Sequence, residues 1–306
     1  VVAGPRTAAD AAAAHQAERS ALAAAAALAL ARQWAGIDPA QIAQSWTQQL
    51  PAALAVLTAA QMASARTADP YVATVLAAEG QALAAEFTVA AAAFAGQAAD
   101  GRDLFDLLYL PVVTTLQAIR AGAPVQGALQ AGLLQLETIA QTEVADAGRV
   151  ADGVAITKEP AVGRYVRLVV GATCSRCIIL AGRVYRWSQG FERHPNCDCI
   201  MIPAVSAEAA GLVQSPRRVY DAMTPEQRTA AGWSRAEQAA IADGADIAAV
   251  TNIHRGGLYT AGGRRFTYEA TAGRRRPRIT PEQIYRDAAG ERGEAVRLLR
   301  LHGYIR

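Results

Sequence analysis

The spacing of apolar residues along the chain changes once, near Gly153. Before that point it is helical. The stretch from about Ala8 to Trp34 is rich in alanine, the best helix former, and predicts a first helix. Asp38-Pro39 supplies an N-cap and a first-turn proline for a second. Ile42, Trp46, Leu50, Leu54 and Leu57 follow at spacings of four, four, four and three, forming one apolar stripe on a helix that Pro51 is expected to bend. Asp69-Pro70 repeats the start signal ahead of Val72, Val75 and Leu76. Gly101 opens a segment with Leu104, Leu107, Leu108, Val112, Leu116 and Ile119, interrupted by Pro111 and ended by Ala121-Gly-Ala-Pro124. A last helix carries Leu129, Leu133, Leu136, Ile139 and Val144. Each stripe must be buried and the connections are short, which predicts a helical bundle or arm over 1–150. Trp34, Trp46, Phe87 and Phe94 read as its core, and a face that docks on a partner protein is the second reading of the same stripes. No catalytic cluster is visible in this half.

After Gly153 the period shortens. Tyr165 to Val170, Arg183 to Trp187 and Cys199 to Pro203 read as three short strands, the second entered through a turn at Gly182. Thr224-Pro-Glu-Gln227 and Thr280-Pro-Glu-Gln283 are capping boxes that start short helices, and Gly232 to Val250 predicts another. The fold class expected is α+β, predominantly α. It comprises the helical half, a small metal-pinned β-hairpin module at 151–205, a short helical segment at 206–250, and a basic extended arm with a terminal helix at 251–306.

Charge sharpens this division. Residues 1–150 hold seven arginines and twelve acids, whereas 251–306 hold twelve arginines and five acids. An acidic helical half joined to a basic half predicts different partners for the two ends. The glycine- and arginine-rich stretch with Arg264, Arg265, Arg274, Arg275, Arg276 and Arg278 reads as a phosphate-contacting arm, with a solvated linker or a surface strand as the alternative. It has no Walker spacing, and His254 beside it reads as a plain surface histidine. The longest aliphatic run, Leu22 to Ala31, falls short of the roughly 20 residues a membrane span needs. Nothing at the start reads as a signal peptide, so synthesis in the cytoplasm is expected.

The chemistry is concentrated in one place. All four cysteines fall between 174 and 199, as Cys174-Ser-Arg-Cys177 and His194-Pro-Asn-Cys197-Asp-Cys199. Thiolates and an imidazole at these spacings suit a tetrahedral zinc ion. Four positions and five candidates leave one over; Cys174, Cys177, His194 and Cys199 are the expected ligands, with Cys197 as the alternative. Paired disulfides or plain buried thiols are the rival readings. A structural zinc is expected to hold together a small three-stranded unit whose own core is too thin, contributing on the order of 10 kcal/mol. A catalytic zinc with an open position beside Glu192 is the enzymatic rival: a hydrolase, nuclease or protease.

Cys174-x-x-Cys177, Leu180-Ala-Gly182-Arg-Val-Tyr185 and His194-Pro-Asn-Cys197-x-Cys199, in this order, resemble the phage Mu F-like minor head proteins. The segments at 239–252, 279–284 and 297–304 are similar to members from actinobacterial tailed phages. The resemblance implies a non-enzymatic minor capsid protein inside the virion head near the portal. Its partners would be the portal protein, the major capsid or scaffolding protein and packaged double-stranded DNA, and it would act in head assembly, DNA packaging or ejection. Asp198 stands where that family usually has arginine.

Overall fold

The computed structural model describes residues 7–81, 87–160, 162–171, 173–190, 199–205, 211–269 and 277–305. The chain divides into two compact units, one formed by Val1–Gly171 with Arg183–Val213, the other by Ala172–Gly182 with Gln214–Arg306. The stretch 151–205 thus contributes to both.

In the first unit, helix α1 (Ala8–Trp34) begins where the Thr7 side chain accepts the Asp10 amide. Helix α2 (Ile42–Arg66) starts later than the Asp38-Pro39 signal suggests. Asp38 instead closes a turn, its carboxylate accepting the Ala40 amide at 2.9 Å. Helix α3 (Ala68–Ala78) follows after Thr67 alone, with Asp69 and Pro70 inside its first turn. Helix α4 (Leu104–Arg120) is capped by Asp103 and runs through Pro111 without a break. A proline there removes one amide donor, and full burial of Leu108 and Val112 on either side outweighs that loss. Helix α5 (Val125–Thr157) packs against the other four.

The α2 stripe faces this core, with Trp46, Leu50 and Leu57 fully buried. Trp34 meets Trp46 edge-on at 5.0 Å, and the two indoles donate to the carbonyls of Leu129 and Leu108. The tryptophans are therefore bundle core, as their spacing indicates. Phe87 is not: it is 58% exposed. The chain there is held through its backbone, with Lys158 donating to the Phe87 carbonyl and Asp69 accepting the Val89 amide.

Strands β1 (Arg164–Leu168), β2 (Val184–Arg186) and β3 (Ile200–Pro203) form an antiparallel sheet in the order β2-β1-β3. Tyr165 is paired with Tyr185 on one side and Pro203 on the other. All three predicted strands are present, but their core is not thin. Every residue of β3 is buried, the strand packs on α3 and α5, and the Tyr71 hydroxyl donates to the Met201 carbonyl at 2.8 Å.

The second unit is built from short helices: α6 (Ser175–Ile178), α7 (Pro216–Asp221), α8 (Pro225–Ala230), α9 (Arg235–Ala242), α10 (Ile247–Thr251), α11 (Pro281–Asp287) and α12 (Arg292–Leu301), of which α8 to α11 carry a side-chain N-cap. Thr224 and Gln227 complete a reciprocal capping box. Thr280 caps α11, but the Gln283 side chain turns away to accept the Arg265 amide. The stretch expected to be an extended arm is ordered at β4 (Leu258–Ala261), β5 (Arg264–Thr267) and β6 (Arg278–Ile279), an antiparallel sheet in chain order. Ile279, Ile284, Leu299 and Tyr304 complete the core around Trp233, so the C-terminal residues are part of the body of this unit. The whole is α+β with helix predominating.

Candidate functional site

The cysteine segment is partly described. Cys174 lies at the N-cap of α6 and Cys177 within it, where the Ser175 amide donates to the Ala231 carbonyl at 2.8 Å. Cys177 is buried and Cys174 half-buried. Gly182 sets the exit from this loop: its φ is +73°, and a Cβ there would lie 1.9 Å from the Gln214 carbonyl oxygen. Only glycine meets both demands. In the first unit Cys199 is buried just before β3, and its carbonyl accepts the Arg149 Nε–H at 3.0 Å. Asp146 pairs with the same guanidinium. His194, Cys197, Glu192 and Asp198 lie outside the described residues. Among the described residues no group of three His, Cys, Asp or Glu is placed to hold a metal. As a donor set, three sulfurs and an imidazole fit zinc by their chemistry, since it takes thiolate and imidazole ligands.

The basic stretch resolves into different roles. Arg264 and Arg265 are exposed on β5, Arg264 pairing with Asp287. Arg274, Arg275 and Arg276 lie outside the described residues. Arg278 departs from the expectation: it is 5% exposed, its guanidinium lies 4.5 Å from the centre of the Tyr304 ring, and it donates to the Gly303 carbonyl. A guanidinium so enclosed has no face left for a phosphate, and its role is structural. His254 is more than a plain surface histidine, for its Nε2 lies 2.8 Å from the buried Glu237 carboxylate. That hydrogen bond raises its pKa above the ordinary histidine value.

The first unit holds a polar cluster that sequence reasoning missed. His15 and Arg19, one turn apart on α1, both reach Asp152 on α5, at 3.1 and 2.8 Å. The His15 ring stacks on Tyr71 of α3 with centroids 3.9 Å apart. His15 Nε2 also lies 2.6 Å from Arg19 Nη2. One nitrogen cannot donate to Asp152 and accept from Arg19 at once, so the carboxylate serves as the common acceptor for two donors. Burial alone would raise the Asp152 pKa, but the charges of Arg19 and His15 outweigh it and hold the carboxyl below its usual range. Burial pushes the Tyr71 phenol well up. Gly148 makes room for this arrangement, since a Cβ there would meet Arg19 Nε at 2.5 Å. His15 and Tyr71 floor a cleft of about 430 Å³ rimmed by Glu18, Arg66 and Thr74. The only signal in the sequence was a histidine and an arginine four apart in an alanine-rich helix.

The chain thus joins a helical bundle to a three-stranded sheet whose strands β1 and β3 are buried, and the family model that matches it makes it a phage protein. The family described as VG15 protein, a viral family, matches residues 5–225, well over half of the chain. The chain is a member of the VG15 protein family. No curated protein and no solved structure matches it. The matched stretch runs from the start of α1 through the cysteine segment to the start of α8, so the β4–β5 hairpin lies beyond it. No helix among the described residues is long and apolar enough to cross a membrane.

Proposed function

We propose that this phage protein is a minor capsid, or head morphogenesis, protein of a tailed phage, of the Mu F-like type. It would sit inside the head near the portal vertex and act in head assembly and DNA packaging or ejection. The observation that carries the reading is the ordered pattern of Cys174-x-x-Cys177, Gly182, Tyr185 and His194-x-x-Cys197-x-Cys199. The doubly constrained Gly182 supports it, because it gives a physical reason for the motif's glycine. A structural zinc held by Cys174, Cys177, His194 and Cys199, with Cys197 as the alternative ligand, belongs to the same proposal. The acidic bundle would meet the portal, the major capsid or the scaffolding protein. Arg264 and Arg265, with Arg274 to Arg276, would contact packaged duplex DNA without sequence preference.

Chemical cross-linking of purified virions followed by peptide mass spectrometry tests this placement. Cross-links from residues 8–157 to the portal protein are expected. Absence of the chain from DNA-filled heads would overturn it.

A further inference from the structure

The β4–β5 hairpin carries a group of aromatic rings that its own packing leaves open. In its register Tyr259 faces Phe266 and Ala261 faces Arg264. Strand alternation therefore places Tyr259, Arg264 and Phe266 on one face, with Tyr268 one diagonal step further along it. The Tyr259 ring stacks on Phe266 with centroids 5.3 Å apart and lies 4.5 Å from Tyr268. Phe266 leans on the core of the unit, whereas Tyr268, at the other end of the stack, is 62% exposed. On the opposite face Thr267 is buried and its hydroxyl donates to the Ile253 carbonyl, so that face is anchored.

Positive charge borders the exposed ring. Arg255 is exposed, adjoins Gly256, which packs against Tyr268, and makes no ion pair among the described residues; Arg264, on the ring face, shares its charge with Asp287, whereas Arg265 lies on the opposite face. A stack that ends in a solvent-open ring beside arginines is a costly arrangement for a hairpin that needs only to pack. It is what a strand of unpaired bases requires.

We infer that this hairpin binds single-stranded nucleic acid, with bases stacking on Tyr268, which the Tyr259 ring supports from beneath, and phosphates held by Arg255 and Arg264. The inference rests on the nucleic-acid contact proposed above and narrows its ligand. A duplex offers its phosphates to arginines but keeps its bases stacked on one another, so the aromatic face has a use only where bases are unpaired. Stacking is tolerant of sequence, and a single strand of any composition would serve.

The test is fluorescence anisotropy on the full chain, with a labelled oligothymidylate of about 16 nucleotides and a duplex of equal length, each at low and high salt. Point replacement is needed because residues 279–304 supply core side chains, which rules out truncation. Tyr268→Ala is expected to weaken oligothymidylate binding about tenfold and leave duplex binding within about twofold, while Tyr268→Phe keeps both. Tyr259→Leu should follow Tyr268→Ala. The combined Arg255→Gln and Arg264→Gln variant should weaken both ligands and flatten the salt dependence. If the arginine variant weakens both ligands and the tyrosine variants weaken neither, the stacking inference fails and the duplex contact stands. Binding of the duplex without the oligothymidylate has the same consequence. If the unaltered chain binds neither, the nucleic-acid contact fails as well.

Discussion

Asp152 is the residue on which the interior of the first unit turns. It is fully buried and receives donors from both Arg19 and His15. Truncating it leaves a guanidinium enclosed without a counter-charge, so Asp152→Ala should cost about 3–5 kcal/mol, read as a fall in the urea midpoint. Replacing all three by apolar residues of similar volume, His15→Leu with Arg19→Met and Asp152→Leu, should cost far less, because no orphan charge then remains. If the single and the triple variants lose equal stability, the cluster is not a charge-compensated unit. The sign of its pH dependence follows from its lowered pKa. The stabilisation is present above the ordinary carboxylate range of about 4 and is lost as pH falls through the folded value. His254 behaves in the opposite sense. Its pKa is raised in the fold by the Glu237 hydrogen bond, so its contribution is complete below about pH 6.5 and is lost as pH rises through the folded value. Melting of the chain should therefore show a loss of stability between pH 6 and pH 8 that His254→Gln abolishes. A difference between the two pH values that persists unchanged in the variant would place the effect on another group.

At the level of elements, the loop from α6 to β2 depends on Gly182. Alanine there would have to hold a left-handed φ, costing about 1–2 kcal/mol, and would also strike the Gln214 carbonyl. Gly182→Ala should lower the melting temperature of the chain, whereas Gly190→Ala, which meets nothing within 4 Å, should not. Equal melting for both would show that the loop adapts. What the sequence discloses about elements follows the range of the forces involved. The α2 stripe and the Thr224 box are local signals, written within a few turns, and both appear as expected. The β-branched and aromatic content of Tyr165 to Val170 marks β1, but nothing local says that helices α3 and α5 will cover the sheet. Asp69-Pro70 does mark a helix start, but Asp38-Pro39 misleads by a few residues because aspartate caps turns as readily as helices, and Asp38 closes one. His15 and Asp152 lie 137 residues apart, so a pairing that defines the interior leaves no mark on either stretch. Arg278 shows the same limit in the second unit. A basic stretch looks uniform in sequence, and only the Tyr304 ring lying over Arg278 separates that structural arginine from the exposed Arg264 and Arg265.

At the scale of the whole molecule, the division of charge and the cysteine segment bear on one question: whether a metal is part of the folded chain. The sheet and bundle of the first unit have a dense apolar core of their own, and the second unit is cored by Trp233, Ile253, Ile284 and Leu299. A zinc ion would therefore add to stability without being the sole source of it, unlike a small finger that unfolds outright when the metal leaves. This changes what the proposed metal predicts. Removal with a strong chelator should lower the melting temperature by several degrees while far-ultraviolet circular dichroism stays nearly helical. Elemental analysis should return one zinc per chain. Cys174→Ser and Cys177→Ser should each abolish that zinc and reproduce the chelator's shift, with no further shift when chelator is added to the variants. In phage production the same variants should be depleted from heads, because a chain with a loosened cysteine segment presents the wrong surface to its neighbours. Wild-type chain purified under reducing conditions with no metal, and with melting indifferent to chelator, would leave these thiols as ordinary buried side chains and remove zinc from the proposal.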